Sequence, residues 1–246
     1  MGQLEPGARL VVESLPAKAQ GMVRIGGEEA AHARARRVGP GDRVVLVDGS
    51  GREAIARVVR LSRGGLEAEV ESVRDGPEDS AAPIFLFVAA IRSERLSWIA
   101  EKAAELGAAR LTLVSSERTQ RFRASEGLTA RLERVVREAA KQAECARWPE
   151  VRGPVALAQA LSDASAAQRF LLDLSGEPFP AALDAAPTAL LVGPEGGWTE
   201  AEISAALDAG WVSASLAAGK LRAETAAVAA LLLARTAMAR GAGIPD

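Results

Sequence analysis

Residues 190–200 read Leu190-Leu191-Val192-Gly193-Pro194-Glu195-Gly196-Gly197-Trp198-Thr199-Glu200. An apolar run without polar alternation marks a strand buried on both faces. Here it stops at a turn with three glycines, a proline and a carboxylate. Thr199 to Glu202 then carry the spacing of a capping box, Thr199 as N-cap and Glu202 at N3. Buried strand, bare loop, capped helix is the repeating unit of an α/β fold. Open α/β sheets hold ligands just beyond the C-terminal ends of their strands. Gly193, Gly196 and Gly197 remove Cβ atoms from three points of this loop, which allows unusual dihedrals or close contact with a ligand. The pattern is neither G-x-G-x-x-G nor G-x-x-x-x-G-K-[ST], so the common nucleotide fingerprints do not account for it.

Working outward, Trp211 to Leu216 reads as the next strand, and Leu216 to Arg222 as its loop, leading into a helix with Ala223, Glu224 and Thr225. Either loop alone is equally well a tight turn; two neighbouring strand-end loops, one bare and one with Lys220, favour a shared pocket. Upstream, 84–90, 110–114, 169–174 and 189–192 are short apolar runs separated by helical patterns. One helix runs to Leu106 before Gly107, and a long one covers 128–145. Residues 84–246 thus predict an α/β domain with a mainly parallel sheet covered on both sides. Residues 75–83, polar and bounded by prolines, read as a linker. Residues 1–74 differ: strands at 9–13, 22–25, 43–47, 53–60 and 66–73, with a helix at 28–37 ended by Gly39-Pro40-Gly41. That spacing predicts a small β-barrel.

Composition narrows the function. The 246 residues carry 48% hydrophobic and 25% charged side chains, as ordinary globular proteins do. One cysteine, Cys145, and one histidine, His32, exclude an intrachain disulfide and a Cys/His zinc site within one chain. The start, MGQLEPGARL, has no signal-peptide character, and the apolar stretch Ala226 to Ala234 is too short to span a bilayer. A cytoplasmic protein with no membrane and no metal partner is expected. Net charge is −2, yet residues 31–63 hold eight arginines against three acids, and 85–147 hold twelve basic against eight acidic residues. Such segments mark a polyanion-binding face, or only arginines solvating helices.

Leu191-Val-Gly-Pro-Glu-Gly-Gly197 followed by Leu221-Arg-Ala-Glu-Thr-Ala226 resembles the paired signature of the 16S ribosomal RNA uracil-N3-methyltransferases, a SPOUT-superfamily group. The likeness extends through Lys102-Ala-Ala-Glu105-Leu-Gly107, Ser116-Glu117-Arg118, and Glu138-Ala-Ala-Lys-Gln142 with Arg147 and Pro149. His32, Arg36-Arg37, Gly41-Asp42 and Asp48-Gly49 are similar to the family's N-terminal pattern. Ala217-Ala-Gly-Lys220 stands where the family commonly has G-P-R-I, and Arg36 where it has leucine.

This resemblance implies a PUA-like RNA-binding barrel and a SPOUT α/β domain with a deep trefoil knot. It implies S-adenosylmethionine as methyl donor, a homodimer, and methylation of N3 of one uridine near the decoding site of 16S rRNA, on the RNA or the small subunit. Val192, Gly193, Glu195, Gly197, Leu216, Lys220 and Leu221 then become cofactor-binding candidates. Arg222 is the candidate stabiliser of negative charge on the base, and Glu224 a candidate proton acceptor or simply an acid suited to a helix N-terminus. Arg34, Arg36, Arg37, Arg43, Arg92, Arg118, Arg121 and Arg147 are RNA-binding candidates, with Arg95 and Lys141 able to continue their track. The alternatives are a non-catalytic rRNA-binding protein of the same architecture and a phosphate-binding metabolic enzyme.

Overall fold

The computed structural model describes residues 8–76, 82–89, 93–119, 127–162, 166–217 and 219–243. Most of the expected linker, and the candidates Arg92 and Arg121, lie outside the described residues. The chain divides into two compact units, one of residues 1–80 with 140–147, the other of 81–139 with 148–246.

The first unit contains β1 (Arg9–Val11), β2 (Met22–Ile25), α1 (Gly27–Ala35), β3 (Arg43–Val47), β4 (Arg52–Ser62) and β5 (Gly65–Asp75). They form one sheet ordered β1-β3-β4-β5-β2. β1 runs parallel to β3, and the other neighbours are antiparallel. Inward positions such as Leu10, Val44, Leu46, Val58, Leu66 and Val70 pack with Ala30 and Ala33 of α1. The two alanines let the helix lie close to the sheet.

The turn after β3 is fastened by Asp48. Its Oδ2 accepts from Leu15 N at 2.8 Å, and its Oδ1 from Ser50 N at 3.1 Å and Ser50 Oγ at 2.5 Å. Partial burial pulls this carboxyl upward, but the hydrogen bonds and the nearby Arg52 charge outweigh it and hold it below the usual value. A carboxyl depressed in the folded state stabilises above its unfolded pKa of about 3.9, and that contribution is lost as pH falls through the folded pKa. Melting curves across the acid range should show Asp48→Asn losing part of the wild type's acid-side decline; parallel curves would contradict this.

The second unit contains β6 (Ile84–Ala89), α2 (Ser93–Glu105), β7 (Arg110–Ser115), a short 3₁₀ turn (Glu117–Thr119), α3 (Leu128–Gln142, whose last residues belong to the first unit), β8 (Glu150–Ala156), α4 (Leu157–Ser162), β9 (Gln168–Pro178), β10 (Thr188–Val192), α5 (Glu200–Asp208), β11 (Val212–Ser215) and α6 (Ala223–Gly241). The sheet order is β11-β9-β10-β6-β7-β8, every neighbour parallel. Central β10 is buried at all five positions, as its unbroken apolar sequence requires. Phe87, Leu171, Ala189 and Leu191 face a core with Ala160 and Leu161 of α4 and Ala206 of α5. α2 and α6 pack together, and α6 also lies against β6 and β10.

Two expectations needed correction. β8 was not anticipated, because Gly153 and Pro154 break its pattern; it lies at the sheet edge, where a missing N–H is tolerated. α3 ends at Gln142 rather than residue 145, as Glu144 turns to φ +58° and Cys145 N bonds Ala140 O. Among the described residues no helix is long and apolar enough to cross a membrane, and no group of three or more His, Cys, Asp or Glu is placed to hold a metal ion.

Candidate cofactor and catalytic site

Three chain segments meet beyond the C-terminal edge of the second unit's sheet. They are 172–174 on β9, 192–194 and 196–198 at the end of β10 and beyond it, and 214–217 with 219–221 from β11 to its loop. Together they bound a cleft of about 320 Å³, within the range of small-molecule sites. Leu172, Val192, Leu216 and Leu221 supply apolar walls.

The glycine turn is held from several sides. Gly197 adopts φ +74° and its N–H bonds Pro194 O at 2.8 Å, a left-handed turn that a side chain would strain. Gly193 serves another purpose. A Cβ there would meet Trp198 Nε1 at 2.9 Å, and that ring is buried, donating to Leu172 O at 3.2 Å. The body pressing on Gly193 is thus the protein's own indole, which lets the loop double back and makes Trp198 part of the wall. Arg118, on the 3₁₀ turn, donates through Nη1 to Gly196 O and lies 3.4 Å from Gly197 O.

The expected capping box is present. Thr199 Oγ1 accepts from Glu202 N at 3.3 Å, and Glu202 Oε2 accepts from Thr199 N at 2.9 Å. Glu202 is also buried, and its Oε1 accepts from Glu117 N at 2.8 Å. One carboxylate therefore ties the start of α5 to the turn carrying Arg118, bracing both ends of the loop.

Beside the cleft stand the polar candidates. Arg222 is the N-cap residue of α6, exposed, and its side chain makes neither hydrogen bond nor ion pair among the described residues. Glu224, in the first turn of α6, is 17% exposed, and its Oε2 is buried without a hydrogen-bond partner. Glu224 Oε1 lies 3.7 Å from Arg95 Nε, and Arg95 Nη1 pairs with Glu195. Arg95, expected to face RNA phosphates, instead links α2, the glycine turn and the start of α6. Glu195, expected against a cofactor, is 57% exposed, pairs with Arg95 and does not line the cleft. Gly193, Gly197, Val192, Leu216, Lys220 and Leu221 do line it.

Residues 78–235 match the family model described as an RNA methyltransferase domain, and residues 25–71 match the RNA methyltransferase PUA domain. The chain belongs to this RNA methyltransferase family. It is 36% identical over 220 residues to the ribosomal RNA small subunit methyltransferase E of Mycobacterium bovis, covering 84% of this chain and 83% of the relative. A Synechocystis protein of the same name is 30% identical over 206 residues, covering 80% and 67%. Among solved structures, the Neisseria gonorrhoeae enzyme of that name, bound to S-adenosyl methionine, aligns with TM-score 0.81 at 25% identity over 92% of this chain and 95% of that one. A probable rRNA-methyltransferase from Porphyromonas gingivalis gives 0.82 at 27% identity over 95% and 99%.

In this RNA methyltransferase the basic candidates divide. Arg34, Arg36 and Arg37 are exposed at the end of α1, and Arg34 spends one donor on Ser62 O at 2.8 Å. Arg43 pairs with Glu71 at 2.8 Å, so its charge is already partly answered. Arg147 is half-buried and bridges to Gly49 and Ser50. Arg118, expected on an RNA track, is exposed and also lines the cleft. Sequence reading missed Leu172–Leu174 as a wall. The signal was available, since 169–174 reads as a strand and its end is where ligands gather.

Proposed function

We propose that this chain is an S-adenosylmethionine-dependent methyltransferase acting on N3 of one uridine in 16S rRNA, in the decoding-site region. The observation that carries the reading is the cleft beyond β9, β10 and β11, with apolar walls, a bare glycine turn and an unpartnered guanidinium beside it. The solved relative from Neisseria gonorrhoeae, bound to S-adenosyl methionine, supports the same cofactor here. The residues fit it. Leu172, Val192, Leu216 and Leu221 suit an adenine ring and the methylenes flanking the sulfonium, while backbone groups of the two loops suit the adenine edge.

When bound, the cofactor supplies an electrophilic methyl group. The chain's own task is to align the acceptor and make it nucleophilic. Uracil N3 carries a proton, so the anion must be favoured. Arg222, with all its donors available, stabilises the charge developing on the base. Glu224, beside the cleft, takes the N3 proton once its side chain turns the enclosed, donor-free Oε2 toward the base. The Arg95 bridge holds that carboxylate relative to the glycine turn. Reaching N3 in folded rRNA requires the base to leave its stack, with Arg34, Arg36 and Arg37 gripping phosphates. We also assign a PUA-like barrel, a knotted SPOUT domain, a homodimer and a cytoplasmic location. Exposed Trp98, Leu232 and Leu233 on α2 and α6 support a second copy of the chain as partner.

The test is incubation of the purified protein and the methyl donor with small subunits from a strain lacking this modification, followed by nucleoside mass analysis. Expected is 3-methyluridine at one position. Methyl transfer to another base, or RNA binding with no transfer, would overturn the assignment, and the second would favour the non-catalytic alternative. RNA affinity should fall steeply with salt, and each phosphate contact removed among Arg34, Arg36 and Arg37 should flatten the log–log slope by about 0.7.

A further inference from the structure

Asp173 stands apart from the other groups in the cleft. β9 pairs with β10 from Gln168 to Leu172 and no further. Its register with β11 shifts between Ser213 and Ala214. Asp173 is therefore the first residue past the last β10 pairing, at the edge where α/β sheets hold ligands. Among the described lining side chains it is the single carboxylate, alongside the cations Arg118 and Lys220.

Its geometry is half committed. Oδ2 accepts from Ser175 N at 3.0 Å and from Ser175 Oγ, which fixes the carboxylate's orientation. No donor among the described residues bonds Oδ1. A carboxylate accepts at both oxygens, so one edge is left for a donor in the cleft. A hydroxyl or ammonium entering between apolar walls must exchange its water hydrogen bonds for protein ones.

We propose that Asp173 is a cofactor-recognition residue whose Oδ1 accepts a hydrogen bond from a donor group of S-adenosylmethionine, either its ribose diol or its α-ammonium. This rests on the cofactor reading given above. Arg118 and Lys220 suit the carboxylate of the methionine part, so donors and acceptors along the cleft would both be answered.

Calorimetric titration tests the proposal without reference to catalysis. S-Adenosylmethionine and 5′-methylthioadenosine, which keeps the ribose and lacks the amino acid, are each titrated into wild type, Asp173→Asn and Asp173→Ala. Melting curves with and without ligand report whether the variants fold. Asp173→Ala should bind S-adenosylmethionine about 10- to 100-fold more weakly, the effect of losing a hydrogen bond to a charged group, and Asp173→Asn, which keeps a carbonyl acceptor, should be weakened less. Equal weakening of methylthioadenosine identifies the ribose as donor, and weakening confined to S-adenosylmethionine identifies the ammonium; either supports the proposal. Wild-type binding with unchanged affinity in both folded variants overturns it and leaves the cofactor reading intact. Wild type that binds neither ligand overturns both. If both variants fail to fold, Ser175→Ala, which frees Oδ2 and leaves the charge, replaces them, and unchanged affinity there also counts against the proposal.

Discussion

Arg222→Ala should slow methyl transfer about 100- to 1,000-fold while cofactor affinity stays near the wild-type value. Arg222 lies outside the cleft lining, so losing it removes no wall. Nor does it serve stability. It caps α6 without a side-chain cap bond, and a cation at a helix N-terminus opposes the helix dipole. An arginine in an electrostatically unfavourable place, its side chain exposed and unpaired among the described residues, is what the proposed role on the base would explain. Stability of the variant should therefore equal or slightly exceed that of wild type. Arg222→Lys should recover part of the rate, since it restores the charge without the planar fork. Single-turnover assays with saturating RNA separate the chemical step from binding. A normal rate in Arg222→Ala would remove this residue from the mechanism.

The second large effect concerns Trp198 and Gly193. Trp198→Ala deletes a buried indole and its bond to Leu172 O, which should cost about 3–5 kcal/mol of stability and abolish measurable cofactor binding. Gly193→Ala forces a Cβ to within 2.9 Å of Trp198 Nε1, an overpacking costing about 1–3 kcal/mol. Because both costs arise at one contact, they should not add. In the Trp198→Ala background the vacated space takes the new methyl, so the cost of Gly193→Ala should vanish there. Urea unfolding of the four proteins of the cycle measures this coupling. Additive costs would mean that Gly193 is glycine for some reason other than the indole.

The central strand, the glycine turn and the Thr199–Glu202 box were readable because each depends on residues close in sequence. So was the class of the second unit, since all-apolar runs such as β10 suit only a sheet covered on both sides. The cleft's third wall was half readable: the strand end at 169–174 was legible in the sequence, but its place beside β10 was not. Leu172 and Asp173 reach it because β9 lies next to β10, a long-range pairing. Arg95 looks like any other basic residue in its segment, and Arg118 stood out only through the Ser116-Glu117-Arg118 likeness, which does not say what it touches. Only the folded chain shows that Arg118 grips Gly196 and Arg95 joins Glu195 to Glu224. Gly193 is the most instructive case: a missing Cβ signals close approach, but not whether the approaching group is a ligand or the protein's own tryptophan.

The order of the parallel sheet bears on how the molecule comes into being. β6 and β10 are neighbours at its centre, yet paired residues such as Ile84 and Thr188 stand 104 positions apart along the chain. During synthesis β6, with the sequence IFLFVA, waits without one lateral neighbour until β10 emerges. Contacts so distant along the chain make folding slow and leave sticky surface exposed meanwhile. Dilution from denaturant should therefore give more aggregate as protein concentration rises, and ligands of the cleft should protect only the finished product.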